Sequence, residues 1–185
     1  STTAMIDFRK ISPKAYVAAA AVLLAAVLAV TVVNICKRGE IVISKEQLVA
    51  LDPQNAGINI EVTRPWLSHD AVFNVKKPDD DHDFNRVDVM RVMLQCAQHL
   101  RDKQIDKLYL ANDGTRVYYL QGSYFKQLGS RYSKDDSWGN AKLCIEMPAH
   151  TYTLNDSTAF KPNDTFLGSI QDLTNWNEIM SALLK

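Results

Sequence analysis

Cysteine and glycine are scarce in this chain of 185 residues, which holds three of the first and seven of the second. Three cysteines are too few to build a scaffold on disulfides. Seven glycines leave little room for a nucleotide-binding loop, and no Gly-rich phosphate cradle is present. HExxH, CxxC and the GxSxG nucleophile elbow are missing too, so none of the common catalytic signatures stands in the sequence. A positive surplus is also lacking: 21 basic side chains meet 21 acidic ones. A general polyanion binder needs such a surplus to release counterions. Basic residues interleaved with aromatics are not seen, so nucleic acid is not an expected partner. No internal repeat or low-complexity stretch is apparent.

Charge is absent over one long stretch. From Ala15 to Val33 the chain reads AYVAAAAVLLAAVLAVTVV, and Asn34, Ile35 and Cys36 extend the run. At about 1.5 Å rise per residue, a helix of this length nearly matches the ~30 Å hydrocarbon core of a bilayer. Lys14 closes one end and Lys37-Arg38 the other, and both reach headgroups. A buried soluble helix rarely lacks charge for so long. A cleaved signal peptide would carry a shorter apolar core of about 7–15 residues and small residues before the cut. Val33-Asn34-Ile35 ahead of Cys36 suits neither cleavage nor lipidation, so a retained single-pass anchor over residues 15–36 is expected. Flanking charges do not orient it, because Arg9, Lys10 and Lys14 balance Lys37, Arg38 and Lys45. A short basic tail, residues 1–14 with Met5 as its start, favours an N-in helix and an extracytoplasmic, periplasmic domain. Ala21, Ala25 and Ala29 form a small-residue stripe through which helices pack in lipid, although a run so rich in alanine produces such stripes by chance.

Residues 37–56 read as a linker and a short helix, and 57–185 as one domain. Ser44 and Gln47 form a capping-box pattern, which starts a helix at Lys45 that Asp52-Pro53 stops. Ile58, Ile60 and Val62 alternate with polar residues, and Ala71, Phe73 and Val75 repeat the alternation; both read as half-buried strands. Asp83 is expected to cap a long helix through Arg101, whose apolar face includes Val87, Met90, Leu94 and Ala97, with Val89, Met93, Cys96 and Leu100 beside them. Asn112-Asp113-Gly114 between Lys107–Ala111 and Thr115–Leu120 is the clearest local signal, a tight hairpin. Gly122-Ser123 opens a helix carrying Tyr124, Phe125 and Leu128, with Gly129 as its end. Leu143, Ile145 and Met147 mark a strand before Pro148, and residues 151–154 form one more. Asp164 caps a closing helix with Phe166, Ile170, Leu173, Ile179 and Leu183 facing inward. Strands mixed with helices and joined by hairpins make an α+β fold.

Candidate chemistry is thin. Asp79, Asp80, Asp81, His82 and Asp83 form the one run suited to a divalent cation, with His82 widening the choice to Zn²⁺. Adjacent side chains diverge, and the EF-hand alternation is missing, so Asp79, Asp81, His82 and Asp83 read better as a solvated loop before a helix N-terminus. No metal or cofactor is expected. His69, His82, His99 and His150 share no ligand spacing, and His99 reads as exposed. Cys96 falls in the apolar stripe of the long helix and reads as a buried thiol. Cys144, placed on the far face of its strand, reads as a layer away from Cys96 and unpaired. Ser123 at a strand-to-helix turn is a faint nucleophile echo, explained as well by a cap. Trp66, Trp138, Trp176 and the tyrosines offer interface aromatics, and Tyr118 and Tyr119 point to opposite sides of their strand. The expected function is a membrane-anchored, non-enzymatic accessory or assembly subunit of an envelope complex, with a protein partner or a second copy of itself. A membrane-tethered hydrolase or metal-dependent enzyme is the alternative, and a ligand-sensing domain a third.

Overall fold

The computed structural model describes residues 13–38, 40–66, 68–77, 85–161 and 166–185. The chain divides into two compact units, Ser1–Arg38 and Gly39–Lys185. In the first, α1 is a continuous 26-residue helix, Pro13–Arg38. Its described side chains, Lys14 and residues 16–32, are exposed on all sides, Ala21, Ala25 and Ala29 among them. Thr31 satisfies its hydroxyl within the helix by donating to Val27 O at 2.8 Å. Among the described residues no helix is long and apolar enough to cross a membrane; the apolar run of the sequence extends past the described side chains of α1, which stop at Val32.

The second unit is an α+β domain built on a six-stranded mixed sheet in the order β1-β2-β3-β4-β5-β6. The strands are β1 Glu40–Ile43, β2 Ile60–Arg64, β3 Ala71–Val75, β4 Lys107–Asn112, β5 Thr115–Gln121 and β6 Thr151–Tyr152. Neighbours are antiparallel except β3 and β4, which run parallel because α3, Arg86–Leu100, crosses between them. The other helices are α2 Lys45–Leu51, α4 Gly122–Arg131, α5 Ser137–Glu146 and α6 Phe166–Leu183. The core joins one sheet face, with Ile60, Val62, Phe73, Leu108, Leu110 and Leu120, to the buried side of α3 and to Trp176, Ile179, Met180 and Leu183 of α6.

The expected capping box is present: Gln47 N donates to the Ser44 hydroxyl, and Ser44 N donates to Gln47 Oε1 at 2.7 Å. At the hairpin, Asp113 and Gly114 take φ of 46° and 83°, the paired positive values of a tight primed turn. Tyr118 turns to the core side against Phe160, while Tyr119 is buried on the opposite face between Tyr109 and Tyr152. That opposite face stands outside the main core. His99 is exposed and Cys96 buried, as their positions on α3 predict.

Several expectations need correction. Residues 142–147 are not a strand but lie in α5 and the 3-10 turn after it. Asp136 caps that helix by accepting from Gly139 N at 2.8 Å, and the buried pair Leu143 and Met147 stands at i, i+4. The alternation Leu143, Ile145, Met147 fits either period, and the cap decides. Gly129 does not end α4, which continues to Arg131. The cap of α3 is Asn85, whose carbonyl accepts from Val87 N and Asp88 N, and the helix starts at Arg86. Val87 on α3 and Ile170 and Leu173 on α6 are exposed rather than inward. β3 is buried along its whole length because it lies mid-sheet, so it is not half-exposed. Within 37–56 the chain adds β1, an edge strand, ahead of α2. The Asp79–Asp83 run, including Asp81, His82 and the proposed cap Asp83, lies outside the described residues, as do Asp164 and the side chains of Cys36 and Phe166.

Candidate functional site

Three helices leave a cleft between them. Met90 and Leu94 of α3, Ala141 and Ile145 of α5, and Leu173 and Trp176 of α6 give it an apolar lining, with a volume of about 580 Å³. The cleft exists because α6 packs on both α5 and α3 without closing the space between those two. Val87 is 65% exposed and Leu173 46%, so two apolar side chains stand at the mouth only partly covered by protein. Trp176 is buried, yet its indole Nε1–H has no acceptor among the described residues. A buried donor left unpaired costs about 1–3 kcal/mol.

One end of the cleft is polar and rigid. Asp52, which ends α2, is almost wholly buried and accepts from Gln54 N at 3.0 Å, from Gln95 Nε2 at 3.1 Å and from Lys134 Nζ at 3.3 Å. The Gln54 amide foremost, then Lys134 and Gln95, hold its carboxyl below the ordinary value against the opposing effect of burial. Gln95 Oε1 in turn accepts from Asn55 Nδ2 at 2.6 Å. Arg91 spends its fork on Asp88 at 2.8 Å, on Gln54 O at 3.1 Å and on Asn55 Oδ1 at 3.4 Å. This network joins residues about 40 positions apart and clamps the β1–α2 segment to α3. It positions the wall of the cleft and leaves Lys134, two-thirds exposed, as the positive charge at the rim.

Cys144 also lines the cleft. Its thiol donates to Asn140 O at 3.3 Å, and burial pushes its pKa up to about 11. Cys96 is raised further by complete burial. Both thiols are free, as expected, but Cys144 sits on helix α5 and not on a strand, so its separation from Cys96 does not come from a sheet layer. Lowered pKa values activate cysteines; these are shifted the other way. With Cys36 replaced by serine, native alkylation of Cys144 is therefore expected to run roughly 100-fold slower at pH 7 than that of an unburied thiol. Its rate should keep rising toward pH 11, and an inflection near 9 would contradict this.

His150 stacks on Tyr124 with ring centroids 4.0 Å apart. Burial lowers the His150 pKa and raises that of Tyr124, whose hydroxyl is buried without a partner among the described residues. Glu146 beside them is engaged by Arg131 Nη2 at 3.0 Å, which holds it low. His69 lies in the turn before β3, and His99 on the outer side of α3, so the described histidines are dispersed. Ser123 is exposed on the first turn of α4, where Gln121 is the cap position. Among the described residues no three His, Cys, Asp or Glu side chains converge as metal ligands.

Residue reasoning passed over the cleft itself. Its one readable trace was α6, where Ile170 and Leu173 form an apolar stripe offset from the one carrying Ile179 and Leu183. Two stripes on one helix signal a second surface to cover. No protein-family model matches the chain, and no curated protein or solved structure matches it either.

Proposed function

We propose that this protein is a membrane-anchored, non-enzymatic accessory or assembly subunit of an envelope complex, working through protein–protein contacts. The observation that carries the reading is the open apolar cleft with Val87 and Leu173 exposed at its mouth. Exposed apolar surface of this kind, rimmed by Lys134 and Asp135, marks interaction sites. The anchor is supported by α1: the charge-free run Ala15–Val33 lies within one unbroken helix, and a helix apolar all round suits lipid better than a half-covered surface. Ala21, Ala25 and Ala29 lie exposed along it, available to a neighbouring helix in lipid. In this reading the domain stands outside the cytoplasm, with Arg9, Lys10 and Lys14 on the inner side.

A photo-crosslinking side chain placed at Leu173 or Val87 in native membranes should give a discrete higher-mass adduct, while one at the exposed Lys126 of α4 should give none. Leu173→Glu should suppress the adduct obtained from Val87 at least tenfold. Equal labelling from all three positions would refute the docking role.

A ligand-sensing domain is the second reading, and Trp176 favours it. A cleft of about 580 Å³ falls within the ~300–1,000 Å³ of small-molecule sites, and the Trp176 side chain lines it with a large aromatic surface. The enzymatic alternative has less support, since burial holds the Cys144 side chain in the cleft as a thiol and, among the described residues, no three His, Cys, Asp or Glu side chains converge as metal ligands.

A further inference from the structure

Large apolar side chains left open to solvent are not spread evenly over the domain. Eight are exposed among its described residues, and four of them, Val87, Trp138, Ile170 and Leu173, lie on α3, α5 and α6, the helices that frame the cleft. Val87 and Leu173 line it directly. Ile170 stands one helical turn before Leu173. Trp138 stands three and seven residues before Ala141 and Ile145, so it shares their side of α5 while lying outside the lining. It is the most open of the four, at 74%, and its ring meets Lys142 Nζ at 6.0 Å, the outer limit of a cation–π contact.

An indole that projects beside a cleft is a peg next to a hole. A two-fold axis brings the same patch of two copies together, so that patch must carry both halves of each contact. This one does. The cleft, at about 580 Å³, is of the size that takes drug-sized molecules and so admits one indole. Its rim is of mixed sign, with Lys134 beside Asp135, whereas a rim of one sign would call for a partner of the other. With 21 basic and 21 acidic side chains, the chain gives two copies no net repulsion. The area is sufficient as well. At roughly 150–250 Å² for each large side chain, the four leave on the order of 450 Å² uncovered on one copy. Two copies thus hide about 900 Å² before the cleft lining and the rim are added, against the roughly 1,000–1,200 Å² that a specific interface needs.

We infer that the cleft is the seat of a symmetric homodimer in which Trp138 of each copy enters the cleft of the other, against Leu173 and Ile145. The inference rests on the docking role of the cleft and names a second copy of this chain as the partner.

The test uses the full chain purified in nonionic detergent, with a benzophenone side chain in place of Trp138 or, as a control, of the exposed Lys126. Irradiation should give an adduct of twice the chain's mass from position 138 and none from position 126. The crosslinked peptides should map around Ile145 and Leu173. Trp138→Ala should raise the dimer dissociation constant at least roughly 30-fold in sedimentation equilibrium, the loss of one interface hot spot. Trp138 is largely exposed, so far-ultraviolet circular dichroism should be unchanged by its replacement. Leu173→Glu should weaken the dimer to a similar degree. Mixed in equal amounts, the two variants should associate more tightly than either does alone, because an intact tryptophan still meets an intact cleft. No doubled adduct from position 138, an equal one from position 126, an unchanged constant in Trp138→Ala, or a mixture no tighter than its components overturns the homodimer. The docking reading outlives that result if probes at Val87 and Leu173 in native membranes give an adduct of another mass, and falls with it if they give none.

Discussion

Gly129→Ala is expected to destabilise the domain by about 3 kcal/mol, although the same change in an ordinary exposed helix would stabilise it by about 1. α4 crosses α3 in backbone contact at this position. A methyl group on Gly129 would overlap the carbonyl of Ala97 and stand 2.7 Å from Gln98 N. Backbone has no rotamer with which to yield, so the two helices must separate, and the packing of Phe125 and Leu128 against α3 loosens with them. Overpacking of this kind costs about 1–3 kcal/mol and more where the obstacle is rigid. In a domain of this size each kcal/mol moves the midpoint by about 2–4 °C, so a fall of roughly 6–12 °C is expected. Thermal unfolding of the full chain in detergent, followed by near-ultraviolet circular dichroism, reads it directly. An unchanged or raised midpoint would show that the helices do not meet there.

The second large effect belongs to Asn55, which is fully buried. Its amide donates to Leu48 O at 2.9 Å and to Gln95 Oε1 at 2.6 Å, and its carbonyl accepts from Arg91. Asn55→Ala leaves the buried Gln95 Oε1 without its donor, at about 1–3 kcal/mol, and removes a bond worth about 0.5–1.5 kcal/mol from Leu48 O, which keeps the Asp52 N–H. A loss of about 3 kcal/mol is expected, together with weaker crosslinking from the cleft, because the β1–α2 segment is released from α3. Denaturant midpoints at pH 7 measure the first; a loss under about 1 kcal/mol would mean that water replaces the amide. Asp52 adds a pH signature to the same network. Its folded-state pKa lies below the reference of 3.8, so its contribution is present above that value and vanishes as pH falls through the folded-state value. Asp52→Asn should lower stability at pH 7 and flatten this part of the acid limb; an acid limb parallel to that of the parent would count against the assignment.

Local signals were legible and distant ones were not. The Asp113-Gly114 turn, the Ser44–Gln47 box and the apolar face of α3 are decided within a few residues, and each stands where the pattern puts it. α5 departs from the strand expectation because Leu143, Ile145 and Met147 fit a period of two as well as Leu143 and Met147 fit four, and the deciding cap, Asp136, lies seven residues upstream of Leu143. Gly129 reads as a helix end because glycine breaks helices on average. Its reason here is the nearness of Ala97, which no local pattern encodes. The bond from Asn55 to Gln95 spans 40 positions, and nothing in either neighbourhood announces the other. The cleft is a property of how α3, α5 and α6 meet, so it became visible only with the helices in place.

The two margins of the sheet have a consequence for self-association. β1 is four residues long and its register with β2 slips between Ile41 and Ile43, while β6 is two residues long and is followed by a turn that bonds back to it through Ala159 N and Thr151 O at 2.8 Å. A short bulged strand at one border and a short, covered one at the other are poor templates for another chain's strand. Fibril-like growth by sheet extension is thereby disfavoured at both borders, even where many copies are crowded together.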